Sequence, residues 1–295
     1  MSYQTILKHI RIIVELSRLN NPKPTLLLFF PCIWGIFLAY AEHISKMAIV
    51  NAMIIFFIGS IAGRSFGCVV NDILDRDIDK EVKRTKNRPL ASGKVSIRYA
   101  IIIAILWLLI GFSCFTVFNS IAKLFIIIGL CISLIYPLTK RFFPYPQFIL
   151  GLAFNIGVLV GYSAVYRMLN NTSILLYILG VYWTLFYDTI YAMQDVEDDK
   201  KLNLKSTALK YGNLTFNYLL KFSMMIIGLS IFVGILESMP WQYYIMIIPL
   251  IFVLINILRI VAKEDKSKLQ YAFNMNINIG VIIAIQILLG KIFHG

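Results

Sequence analysis

The sequence predicts an all-α polytopic membrane protein, a bundle of nine transmembrane helices, and three observations carry that expectation. Of the 295 residues, 59% are hydrophobic and only 15% charged, whereas a soluble domain keeps roughly a quarter of its residues charged to hydrate its surface. The mean hydropathy of +0.77 excludes a soluble globular enzyme and a disordered chain alike. Apolar runs recur along the whole length, each close to the roughly 20 residues a helix needs to cross a hydrocarbon core about 30 Å thick.

The nine runs lie near residues 25–41, 47–70, 98–118, 121–138, 146–166, 174–193, 216–237, 241–261 and 273–293. Lys8, Arg11, Arg18 and Lys23 before the first run and Ala39, Tyr40 and Ala41 at its end have the outline of a cleaved signal peptide. Eight further spans and a long mixed-charge N-terminal segment favour a retained span instead. The formal charge of +13 indicates cytoplasmic loops rather than nucleic acid. Counted on alternate sides, 21 Lys and Arg fall on one side and 4 on the other, with Arg64, Lys221 and Arg259 inside the assigned spans. That asymmetry puts the N-terminus and the polar loops in the cytoplasm and the C-terminus outside. The longest polar stretch, 71–97, is too short to bury a core of its own, so residues 1–295 read as one membrane-embedded domain. Cys32, Cys68, Cys114 and Cys131 form no CxxC pair and have no matching His cluster, which argues against a disulfide framework or a zinc site.

The chemistry is concentrated. Ten of the fifteen acidic residues fall in two short windows, Asp72, Asp75, Asp77, Asp79 and Glu81, then Asp188, Asp195, Glu197, Asp198 and Asp199. Each begins where a span ends on the cytoplasmic side. Clustered carboxylates at the edge of hydrocarbon repel one another and are costly to desolvate, so they need a cation. If the second span continues as a helix, Asn71 with Asp75, and Asp72 with Asp75 and Asp79, share one face; Asp188, Asp195 and Asp199 repeat the spacing. Carboxylates with an amide oxygen suit Mg²⁺, a hard cation commonly shared with phosphate oxygens. Basic runs follow both windows: Lys83, Arg84, Lys86, Arg88 and Lys94 after the first, Lys200, Lys201 and Lys205 after the second. They supply phosphate partners, or, on the plainer reading, a patch for anionic lipid.

Other features point less sharply. Gly59, Gly63 and Gly67 at every fourth position favour close helix packing over ligand approach. Arg64 on the same span needs an anion, a carbonyl or water, and either a substrate carboxylate or a structural salt bridge can meet that need. Tyr136, Tyr182, Tyr187 and Tyr191 can line a cavity and face a cation, or simply pack.

Asn71-Asp72-x-x-Asp75-x-x-x-Asp79, followed by Val82 to Gly93, resembles the first aspartate-rich signature of the intramembrane aromatic prenyltransferases. Tyr187 to Lys200, with Lys205-Ser206-Thr207-Ala208, resembles the second signature of the branch that prenylates 4-hydroxybenzoate, and Tyr136-Pro137-x-x-Lys140-Arg141, Pro146-Gln147 and the final span extend the likeness. Glu197 stands where an aspartate is usual. The resemblance implies nine helices around a central cavity and a Mg²⁺-dependent transfer from polyprenyl diphosphate to the ring carbon ortho to the hydroxyl of 4-hydroxybenzoate, in ubiquinone synthesis at a bacterial inner membrane. It implies metal ligands among Asn71, Asp72, Asp75, Asp79, Asp195 and Asp199, with Asp72, Asp75, Asp195 and Asp199 catalytic. Lys83 and Arg88 would meet the diphosphate, and Asp188, Tyr191 and either Arg64 or Arg141 would bind substrate, an arginine reading the acceptor carboxylate. Related prenyltransferases for menaquinone or haem O are the alternatives within the class. A divalent-cation transporter is the alternative outside it, disfavoured because such sites lie near the membrane midplane.

Overall fold

The computed structural model describes residues 3–41, 44–82, 85–263 and 265–294. In chain order its helices are α1 (Tyr3–Leu16), α2 (Lys23–Leu38), α3 (Lys46–Leu74), α4 (Arg76–Glu81), α5 (Ile97–Thr116), α6 (Ser120–Thr139), α7 (Pro146–Tyr166), α8 (Asn171–Ala192), α9 (Val196–Lys201), α10 (Thr207–Tyr211), α11 (Thr215–Leu236), α12 (Trp241–Ile245), α13 (Ile247–Ala262) and α14 (Lys266–Ile292). The described residues contain no strand.

Among the described residues eight helical segments are long and apolar enough to cross a membrane, and they match the second to ninth expected spans. The first expected span differs. Its helix, α2, has 16 residues, about 24 Å at 1.5 Å per residue, short of a full hydrocarbon core. Lys23 at its start and Pro31 within it account for an element that relies on polar flanks reaching to the interface. At the other extreme, α3 has 29 residues, about 44 Å, so one end must project beyond the hydrocarbon.

The chain divides into two compact units, residues 1–26 with 57–117, and residues 27–56 with 118–295. In the first, Leu16, Val69, Leu90, Ala100, Ile103 and Ala104 form the core. The end of α1 is fastened there by Ser17, whose hydroxyl accepts from Trp107 Nε1 at 2.7 Å and whose carbonyl accepts from Ser65 Oγ at 3.3 Å. The opposite face of α5 leaves Ile102, Ile105, Leu109 and Phe112 exposed, as a lipid-facing helix requires.

In the second unit α7 and α8 are the most buried spans. Gly35 and Gly161 allow α2 and α7 to meet backbone to backbone, since a Cβ on either would strike Val158 or Cys32. Glycine-mediated packing therefore occurs here and not on α3, where Gly63 and Gly67 have open space in place of a Cβ and Gly59 comes only to 3.9 Å from Cys114. The α3 glycines leave room; they do not join helices there. At the end of α8 remote from Asp195, Glu237 accepts from Lys291 Nζ at 2.6 Å and Asn170 Nδ2 at 3.3 Å, tying α8, α11 and α14 together.

Candidate active site

Both acid windows are built by a related device. In the first, α3 runs directly into an aspartate that breaks the helix; in the second, α8 ends at Ala192 and an aspartate follows after two turn residues; a six-residue helix comes next in both. Asp75 (φ −100°, ψ 11°) stands between α3 and α4, and Asp195 (φ −104°, ψ 5°) precedes α9. The straight helix expected through the first window is thus interrupted at Asp75, because a ψ near zero leaves the α-helical range near −42°. The hydrogen bonds from Asp75 N to Asn71 O and from Asp79 N to Asp75 O, both 2.8 Å, survive the break. The second window repeats the latter bond, Asp199 N to Asp195 O at 2.8 Å.

In the first unit the carboxylates are held by guanidinium groups. Asp72, 1% exposed, accepts from Arg18 Nη2 at 2.6 Å and from Arg88 Nη1 at 3.2 Å through the same oxygen, Oδ1. Arg88 also donates to Asp79 Oδ2 at 2.7 Å. Burial pulls the Arg18 guanidinium below its usual value, and the Asp72 carboxylate pushes back. Asp72 Oδ2 is buried and has no hydrogen-bond partner among the described residues. Thr85, whose hydroxyl donates to Asp79 O at 3.0 Å, fastens the turn after α4. Exposed Asp77 is pulled below the usual carboxylate range by its hydrogen bond from Lys80, away from the buried network. Arg88 thus pairs with carboxylates in this structure. Lys83, expected beside it, lies outside the described residues.

Asn71 is half-buried and Asp75 buried. Further along α3, Arg64 Nη1 contacts Cys68 Sγ at 2.6 Å, and its Nε is buried without a partner. An unsatisfied buried guanidinium NH is costly in a fold without a ligand.

In the second unit Asp188, Asp195 and Asp199 are half-buried and Glu197 is exposed, its carboxylate paired with Lys266 at 2.5 Å. The loop after α9 is held by uncharged bonds. Thr207 N donates to Gln147 Oε1 at 2.9 Å, the Thr207 and Thr189 hydroxyls meet at 2.7 Å, and Lys205 N donates to Lys140 O at 2.7 Å. Tyr191 lies 5.0 Å from the Phe273 ring, and Tyr187, also against Phe273, stacks edge-on to Trp183. Tyr187 closes a buried chain in which Asn155 Nδ2 donates to Thr184 and Thr184 to the Tyr187 hydroxyl. Arg141 is exposed just past the end of α6.

Among the described residues no three His, Cys, Asp or Glu side chains stand close enough together to hold a metal ion. In the first unit the physical reason is visible, since arginines supply the charge that keeps Asp72 and Asp79 in place. The donor set still fits a hard cation. It is all oxygen, and Asp72 retains an unpartnered buried oxygen that a cation would satisfy. Arg18 is the residue that sequence reasoning missed. It lies 54 positions from Asp72, so spacing carried no signal; only its place as a cation between α1 and the first span set it apart. Gln147 and Thr207 fell inside segments of the quoted resemblance, but their pairing was not legible.

A family model described as "UbiA prenyltransferase family" matches residues 28–280. The protein named 4-hydroxybenzoate octaprenyltransferase of Francisella tularensis subsp. mediasiatica is 36% identical over 270 residues, covering 92% of this chain and 94% of that protein. Two solved structures share the fold. The apo form of a UbiA homolog from Aeropyrum pernix has a TM-score of 0.75 at 23% identity, covering 90% of this chain and 96% of that one. A UbiA homolog from Archaeoglobus fulgidus bound to GPP and Mg²⁺ has a TM-score of 0.72 at 17% identity, covering 94% and 99%.

Proposed function

This chain belongs to the UbiA prenyltransferase family, and we propose that it transfers a polyprenyl group from polyprenyl diphosphate to the ring carbon ortho to the hydroxyl of 4-hydroxybenzoate, in ubiquinone biosynthesis. It is an integral membrane enzyme; a bacterial inner membrane, with the N-terminus and both acid windows cytoplasmic, is part of the proposal. The observation that carries the acceptor is the 36% identity to a protein of that name along 92% of the chain.

Asn71, Asp72, Asp75 and Asp79 in one unit and Asp195 and Asp199 in the other are the proposed ligands of Mg²⁺, which the Archaeoglobus relative holds together with a prenyl diphosphate. When bound, Mg²⁺ supplies the charge that stabilises the departing diphosphate. The chain's own groups do the rest. Lys83 and Arg88 meet phosphate oxygens, Arg88 exchanging part of its carboxylate contact for them. The allylic carbon–oxygen bond breaks with its electron pair leaving on diphosphate. The ring carbon ortho to the phenol forms the new carbon–carbon bond and loses its proton. Tyr191, with the aromatic surface around Phe273, excludes water from the cation and faces it with ring density. Asp188 belongs to the same substrate-binding set, and Arg64 or Arg141 pairs with the acceptor carboxylate. A long polyprenyl tail is more stable in lipid than in water, which explains a catalyst built into the bilayer.

Purified protein supplied with polyprenyl diphosphate and Mg²⁺ tests the assignment. Prenylated product is expected with 4-hydroxybenzoate and not with a menaquinone precursor or haem; product from either of the latter alone reassigns the acceptor within the family.

A further inference from the structure

A groove of about 290 Å³ lies between the end of α13 and the start of α14, lined by Asn256, Arg259, Ile260, Lys263, Tyr271 and Met275. Helical spacing builds it. Residues 256, 259 and 260 form one stripe of α13, which Lys263 continues just past the helix end, and 271 and 275 form one stripe of α14. The stripe on α13 is polar although the span it ends, Trp241–Val261, is the most apolar of the eight, with hydropathy 2.5. Arg259 and Lys263 are exposed and, among the described residues, make no ion pair. Asp265, the nearest described acid in sequence, is occupied by Lys268 and Ser267. Cations in a last turn do complement the helix dipole. That accounts for Arg259 and Lys263 alone, and not for an amide a turn deeper or for a phenol and a thioether facing them from α14.

We propose that this groove binds the phosphate-ester headgroup of an anionic glycerophospholipid. The order of side chains along α13 matches what such a lipid presents. Lys263 stands just past the helix end for the phosphate, and Arg259 one turn in can share it. Asn256 lies about a turn further in, and Tyr271 lines the groove from α14; both offer hydrogen bonds to ester oxygens. Ile260 and Met275 form the apolar wall along which acyl chains begin. The volume sits at the lower limit of about 300 to 1,000 Å³ for ligand sites, enough for a headgroup whose tails continue into surrounding lipid. On the orientation proposed above this end faces the cytoplasm, where the leaflet is anionic.

Native mass spectrometry of the full chain in neutral detergent, stripped of metal with EDTA, tests the site with dioleoyl phosphatidylglycerol, dioleoyl phosphatidylcholine and glycerol phosphate as separate probes. Phosphatidylglycerol is expected to bind at about tenfold lower concentration than phosphatidylcholine, and glycerol phosphate not to bind. The double variant Arg259→Gln/Lys263→Gln should lose about tenfold or more of the phosphatidylglycerol affinity. Lys46→Gln, a cation at the opposite end of a span, should lose none, and Asn256→Leu should lose about twofold. Unchanged binding by the double variant overturns the site, and so does equal binding of phosphatidylcholine. Glycerol phosphate binding as tightly as the lipid would mean a soluble phosphate ester is the ligand, and would overturn the lipid assignment. The KM for polyprenyl diphosphate should be unchanged in the double variant; a rise parallel to the lost lipid binding would make the groove part of the donor site instead.

Discussion

The two acid windows share a related backbone design and differ in how deeply their carboxylates are buried. In both, an aspartate with ψ near zero separates a span from a six-residue helix. The first window is neutralised from within: Arg18 and Arg88 reach Asp72 and Asp79 in a largely buried network. The second keeps its aspartates half-buried, while its one outlying glutamate pairs with Lys266 at the exposed surface. Its following loop is held by Gln147, Thr189 and Thr207 through uncharged hydrogen bonds. The first window is therefore structural as well as a candidate for chemistry, since its carboxylates and arginines hold one another in place.

The largest expected effect touches both windows alike. EDTA should stop prenyl transfer and Mg²⁺ restore it, read as product formed from a labelled donor; full turnover in chelator would leave the lysines and arginines to handle the diphosphate alone. Next in size is Arg88→Gln, which removes two ion pairs at once. We expect at least a tenfold loss in kcat/KM for the donor together with a lower melting temperature, since breaking a buried pair strands a charge. A melting temperature equal to the parent's would deny the first window its structural role. Replacing Arg64 or Arg141 by Met should raise the KM for 4-hydroxybenzoate about tenfold in one of the two, the loss of a charge-assisted bond of about 1.5 to 3 kcal/mol, and leave the donor KM nearly unmoved. If both variants weaken the donor instead, both arginines belong to its site. Arg18→Gln sharpens the contrast between the windows. It should lower the melting temperature by a few degrees while turnover stays within about fivefold, because Arg88 still engages Asp72. The smallest effect is expected for Glu197→Gln, whose exposed pair with Lys266 is of the kind that contributes under about 1 kcal/mol; stability and turnover should both match the parent.

The spans were legible because hydrocarbon thickness fixes their length and apolar content, and only α2 fell short, its helix opening on Lys23 and stopping at Leu38 before the apolar run ends. The windows were legible because acids at the edge of hydrocarbon are costly and so stand out. What balances them was not. Arg18 lies 54 residues from its partner, and which cation reaches a carboxylate is decided by tertiary packing, not by spacing. The glycines of α3 illustrate the same limit. A four-residue repeat resembles a packing stripe, yet a Cβ at Gly63 or Gly67 would meet nothing within 4 Å, while Gly35, Gly157 and Gly161 carry the close contact between α2 and α7.

The central claim is that both windows serve one diphosphate, and turnover of Asp72→Asn and Asp195→Asn at saturating Mg²⁺ tests it most directly. Each should lose about a hundredfold or more in kcat, as expected when charge is removed from a site that stabilises a leaving anion. The melting temperature should fall for Asp72→Asn, which strands Arg18 and Arg88. Turnover within about threefold of the parent for either variant, in protein that still inserts and folds, would contradict the claim.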